Sequence, residues 1–134
     1  MKIYKILMLL TAISFAAIYS SCSQKQEKLD CKNLRNVKLK YLDADDTTAY
    51  IVISGNRHME YYNAGKNFIK SEVKQVNDCE INVFFLESNI KDLPFKKGDV
   101  LNIVFDKVEN GVLHCQTKMG NRIMPQRFKV LPNE

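Results

Sequence analysis

The chain has 134 residues, enough for one domain, and 46% of them are hydrophobic. Its formal charge of +5 comes from 20 Lys and Arg against 15 Asp and Glu, mixed along the chain. So mild a balance favours solubility and argues against a polyanion partner. No G-x-S-x-G, H-E-x-x-H or C-x-x-C is present, and the five Gly are too scattered for a phosphate cradle.

Lys2 and Lys5 precede an uncharged run from Ile6 to Ile18, interrupted only by Thr11 and Ser14. A run of about thirteen residues suits the apolar stretch of a signal peptide and falls short of the roughly 20 that a transmembrane helix needs. Tyr19-Ser20-Ser21-Cys22-Ser23 follows. Small residues directly before a cysteine, at the end of an apolar run, resemble the lipobox of bacterial envelope lipoproteins in a relaxed, Ser-rich form, with Tyr19 where Leu is usual. The resemblance covers residues 1–23. It implies that 1–21 are a type II signal peptide, cleaved before Cys22, and that Cys22 is the lipid attachment residue. It implies several acyl chains there, enough for firm membrane anchoring where one chain would bind marginally. Ser23, rather than Asp, resembles lipoproteins that pass on to the outer membrane. An ordinary secretory signal peptide and an uncleaved anchor are the alternatives. Loss of Lys2 and Lys5 with the leader lowers the formal charge from +5 to +3. Export also argues against a nucleic-acid role.

Residues 22–30 read as the lipidated cysteine and a flexible polar tether, and 31–134 as a single β domain. Three cysteines remain after Cys22, so at most one bridge forms within the chain. Cys115 alternates with Leu113 in a strand pattern and reads as a buried small hydrophobe. That favours a Cys31–Cys79 disulfide, with three free thiols as the alternative.

The period along the domain is close to two. Val37, Leu39 and Tyr41 alternate with Lys38 and Lys40, which predicts a half-buried strand. Asp43-Ala44-Asp45-Asp46 predicts a turn, and Thr48 to Ser54 a strand ended by Gly55-Asn56. Glu60 to Tyr62 and Asn67 to Ile69 flank a turn at 63–66, and Ser71 to Asn77 reads as strand in preference to a short helix. Ile81 to Glu87 is apolar on both faces, as an interior strand is. Ser88 to Leu93 predicts a short helix or turn that Pro94 ends. Val100 to Glu109 and Val112 to Lys118 flank Asn110-Gly111, the strongest short hairpin signal. Arg122 to Leu131 completes a three-stranded C-terminal meander, with Pro125 at a bulge or edge.

The expected fold is therefore all-β, a small antiparallel barrel or sandwich. The run Phe95-Lys96-Lys97-Gly98-Asp99-Val100 is similar to strand starts in OB-like and SH3-like barrels. Val83, Phe85, Leu101, Ile103, Phe105, Leu113 and Phe128 are the expected core. The acids at 43–46 lack the Gly and Glu that an EF-hand loop requires at Thr48 and Ser54. His114 and Cys115 are strand neighbours and point to opposite faces. His58 with Met59, Met119 and Met124 has no spacing that builds a copper site, and no metal or cofactor is expected. Tyr61 and Tyr62 are the candidate partner contacts, since one of two strand neighbours faces outward. Arg122, Arg127 and Lys129 can blunt an edge strand. The expected role is non-enzymatic: an anchored envelope protein that binds a partner protein or a small envelope ligand. An inhibitor or immunity-type or structural lipoprotein is the second reading, and a small hydrolase the third.

Overall fold

The computed structural model describes residues 26–132. The signal peptide and Cys22 readings lie outside the described residues. The strands are β1 (Gln26–Glu27), β2 (Asn36–Tyr41), β3 (Tyr50–Ser54), β4 (Arg57–Tyr62), β5 (Asn67–Asn77), β6 (Glu80–Ser88), β7 (Val100–Glu109), β8 (Val112–Met119) and β9 (Arg122–Leu131). From β2 onward each pairs antiparallel with its successor, and β9 returns to β2 through Tyr41↔Phe128 to Lys38↔Leu131. The result is a closed, eight-stranded up-and-down barrel. It is a barrel rather than a sandwich, and its strands follow sequence order rather than the five-stranded Greek key of an OB barrel.

Local chemistry explains most of the strand limits. Asn110 (φ 52°) and Gly111 (φ 74°) both take the positive φ that a two-residue type I′ hairpin needs. Ser71 to Asn77 simply continues β5. Of the helix or turn expected over Ser88 to Leu93, the turn forms, at Lys91-Asp92; β6 runs on to Ser88, and the rest of 89–99 is an irregular connection. Pro125 pairs with Gln116 of β8, while the β9–β2 ladder begins only at Phe128. Proline therefore sits where β9 has one ladder neighbour and its missing N–H costs little.

One end of the barrel is stoppered. A 3₁₀ turn, Cys31–Arg35, is capped by Asp30, whose carboxylate accepts from Lys32 N at 3.2 Å and Asn33 Nδ2 at 3.0 Å. The turn lays Cys31 and Leu34 against Ile53, Val73, Ile81 and Phe105. Cys31 is disulfide-bonded to Cys79 in the β5–β6 connection, with Cα atoms 5.1 Å apart. Cys115 is a buried free thiol, and burial with the nearby Asp106 carboxylate pushes its pKa up to about 12. So inert a thiol fits packing rather than chemistry. The tether is shorter than expected: Gln26 and Glu27 pair with Glu109 and Val108, beside the Asn110-Gly111 turn at this same closed end.

The core draws on residues 31–128, and the strands lie between Gln26 and Leu131, so the chain from Ser23 onward carries the whole described fold. Val83, Ile103, Phe105, Leu113 and Phe128 are buried as expected. Phe85 and Leu101 are only half-buried, because they face a cavity rather than solid packing. Lys40, Arg57, Lys74, Asp106, Gln116, Lys118, Arg127 and Lys129 are exposed on the strands. Apolar inside and charged outside is the reverse of a membrane-spanning barrel.

Candidate functional site: a cavity in the barrel

Up-and-down connectivity places alternate connections at opposite ends. Residues 42–49, 63–66, 89–99 and 120–121 gather at the end away from the stopper. There the barrel opens on a cavity of about 370 Å³, within the usual range for small-molecule sites. Its walls are mostly apolar, from Ile51, Ile69, Val83, Phe85, Leu101, Ile103 and Met124. Ile90, Leu93 and Phe95 of the 89–99 connection form one side of the mouth, with the Phe95 ring 6.1 Å from that of Phe85.

The mouth is braced by side chains that cap backbone groups. The Asp46 carboxylate accepts from Thr48 N at 2.8 Å and from Asn63 N at 2.6 Å, tying the β2–β3 connection to the β4–β5 turn. These hydrogen bonds, led by that from the Thr48 hydroxyl, hold the Asp46 carboxyl below its ordinary value. Asn89 spans the β4–β5 and β6–β7 connections, accepting from Phe68 N at 2.8 Å and donating to Lys66 O at 2.9 Å. Asp43 pairs with Arg127. Asp43 and Asp46 are thus used in pairing and turn-building, and no group of three or more His, Cys, Asp or Glu side chains that could hold a metal ion occurs among the described residues.

Three of the cavity's polar residues come from β4. Register sets its orientation: Ile51↔Glu60 and Ile53↔His58 are directly opposed pairs, so His58, Glu60 and Tyr62 share the inward face of Ile51 and Ile53. His58 sits deepest, nearest the closed end, followed by Glu60 and then Tyr62 toward the mouth. His58 and Glu60 are 1% and 7% exposed. Glu60 Oε2 accepts two hydroxyl hydrogen bonds, from Tyr41 at 2.8 Å and Tyr62 at 2.5 Å. Glu60 Oε1 lies 3.8 Å from His58 Nδ1, too far for a hydrogen bond. Nδ1 is a buried polar atom without a hydrogen-bond partner among the described residues. Across the barrel Thr117 Oγ1 donates to Gln126 Oε1 at 2.7 Å. Burial, reinforced by the Glu60 charge, raises the pKa of both Tyr41 and Tyr62, so both remain donors.

Burial lowers the His58 pKa against the opposing pull of Glu60. The unfolded chain takes up this proton near its ordinary value of about 6.5, and the folded chain only at lower pH. In that window the unfolded state binds more protons, so stability falls as pH falls through about 6.5. His58→Gln is expected to remove that slope. The stability of the native protein relative to the variant, from urea melts, should decline below about pH 6.5 by up to about 1.4 kcal/mol per pH unit. A constant difference from about pH 7.5 to 5 would contradict a neutral, buried His58.

Of the residues singled out in the sequence, Cys31 and Cys79 lie together at the stopper. Tyr61 and Tyr62 part company. Tyr61 stacks on Tyr50 with ring centroids 4.9 Å apart, beside Lys38, whose Nζ lies 5.0 Å from the Tyr50 ring centroid. Tyr62 turns inward to Glu60 and is not an outer-surface contact. Glu60 belongs to no sequence motif, and His58 has no metal-site spacing around it. Their one sequence signal is the spacing His58, Glu60, Tyr62 along a single strand face. Compared with protein-family models, curated proteins and solved structures, the chain matches none.

Proposed function

We propose that this protein is a lipid-anchored envelope protein whose barrel binds one small, largely apolar ligand, and that it is a binding protein rather than an enzyme. The observation that carries the reading is the open cavity itself. Eight-stranded barrels are just wide enough either to fill with side chains or to hold one small ligand, and here Phe85 and Leu101 face free space. Apolar walls with a few converging polar groups suit a binding site. This favours a small ligand over a partner protein, an inhibitory surface or a hydrolase.

The anchor rests on the lipobox resemblance at Cys22, and the outer membrane is the favoured destination. Cys22 is four residues before Gln26, within a reach of about 14 Å. Lipid on Cys22 would therefore hold the closed end toward the bilayer, and the mouth would open away from it.

Two readouts test the proposal. The chain from Ser23 onward should bind the uncharged dye N-phenyl-1-naphthylamine with enhanced, blue-shifted emission. Leu101→Trp, which narrows the cavity, should weaken this while cooperative melting persists. A folded barrel that leaves the dye dark sinks the ligand reading. Separately, the full-length protein should fractionate with membranes, and Cys22→Ser should release it or leave an unprocessed precursor. Membrane-bound Cys22→Ser at mature mass would refute the anchor.

A further inference from the structure

We propose that the cavity selects ligands with an apolar body and a protonated amine head, with the Glu60 carboxylate as the counter-charge. The inference rests on the ligand reading of the cavity and adds the chemistry of the head group.

The charges lining the cavity carry the argument. Among the described residues two acids, Glu60 and Asp99, line it, and no Lys or Arg does. Asp99 is at the exposed rim, where its carboxylate accepts from Lys96 N at 2.8 Å. Glu60 is inside, and among the described residues no Lys or Arg nitrogen lies within 4 Å of it. A buried carboxylate is costly unless paired and hydrogen-bonded. The protein meets half of that need: Tyr41 and Tyr62 both donate to Oε2 and hold the group in place. Oε1 receives no hydrogen bond from the described residues, and its nearest basic atom is His58 Nδ1 at 3.8 Å. The imidazole is an ineffective counter-ion, because burial disfavours its charged form.

An ammonium group completes this arrangement. It brings one positive charge and three donors, with no acceptor to satisfy. Glu60 Oε1 is one acceptor for it. His58 Nδ1, buried and unpartnered, is a second when the ring proton sits on Nε2. A carboxylate or phosphate head would instead meet Glu60 as a like charge, with no Lys or Arg among the described lining residues to receive it. An alcohol could accept or donate one hydrogen bond but would leave the charge unpaired. Beyond the head, Ile69, Phe85, Leu101 and, at the mouth, Leu93 and Phe95 offer an apolar path for the rest of the molecule.

The test uses the chain from Ser23 onward and three probes with one tail: decylamine, decanol and decanoate. Each displaces N-phenyl-1-naphthylamine at pH 7, below its micelle concentration. Decylamine is expected to bind at least about tenfold tighter than decanol, the effect of one charge-assisted hydrogen bond, with decanoate weakest. In Glu60→Gln the ratio of amine to alcohol affinity, each measured by displacement of the dye from that variant, should fall to about one. Decanol or decanoate equalling decylamine on the native protein overturns the assignment, and that comparison needs no variant. A Glu60→Gln barrel that binds the dye and retains the amine preference overturns it too. If the dye fails to bind the folded native barrel, the ligand-site reading itself falls, and this inference with it.

Discussion

Phe105→Ala is expected to lower the free energy of unfolding by about 3–5 kcal/mol, the range for a buried Phe that leaves a cavity. Phe105 is 5% exposed, on β7 just beneath the stopper, where it borders Cys31, Leu34, Ile53, Val73 and Ile81. Its loss would open a void beneath a turn that the disulfide holds in place, so the site has little freedom to collapse. The contrast with Phe85→Ala is informative. Phe85 lines a cavity and is only half-buried, so its ring already lacks neighbours on one side and should cost less to remove. Urea melts of the two variants check both statements. A loss below about 1 kcal/mol for Phe105→Ala would be a surface value and inconsistent with this packing.

Removing the Cys31–Cys79 disulfide is expected to cost nearly as much. The bridge closes a loop spanning 48 residues in sequence, and chain-entropy arithmetic for that length gives about 4 kcal/mol as an upper figure. That is a large share of the roughly 5–15 kcal/mol by which native proteins are stable. The bridge pins the stopper turn to the β5–β6 connection, so its loss should also loosen the closed end. Cys31→Ala and Cys79→Ala should each lower Tm markedly, and the double variant should be no worse than the poorer single one. Alanine is chosen because serine would place a hydroxyl in the buried Cys31 site. Cys115→Ala should leave the bridge intact. A double variant that melts with the native protein, or a peptide map linking Cys115 to either partner, would rule the bridge out.

The local parts of this structure could be read directly from the amino acids. Asn110-Gly111 announces its hairpin because few other residue pairs tolerate two positive φ values in succession. The limits of β7 and β9, Val100–Glu109 and Arg122–Leu131, follow from β-rich runs bounded by turn residues. The Cys31–Cys79 pairing could be favoured because Cys115 alternates with Leu113 and is packed away with it. Each of these depends on neighbours within a few positions.

Closure and the cavity depend on partners far apart in the chain, and local pattern does not encode them. The β2–β9 ladder turns a meander into a barrel rather than an open sheet, and nothing near Val37 or Phe128 specifies it. An alternating strand shows two faces but does not say which is inside. In Arg57-His58-Met59-Glu60-Tyr61-Tyr62, hydropathy alone would send Met59 and Tyr61 inward and leave His58 and Glu60 in water. The register with β3 does the reverse: Glu60 opposes Ile51 and His58 opposes Ile53, whose side chains are committed to the core, and opposed residues share a face. Two tyrosines from different strands then satisfy the carboxylate that this register brings inside. Sequence by itself therefore determined the β class, most strand limits, the turns and the favoured disulfide, because these are set by local backbone preference and side-chain alternation. Only the tertiary structure decided that the barrel closes, that it is hollow and that its polar side chains meet at Glu60, because cross-strand register and the ring's circumference are properties of the assembled sheet.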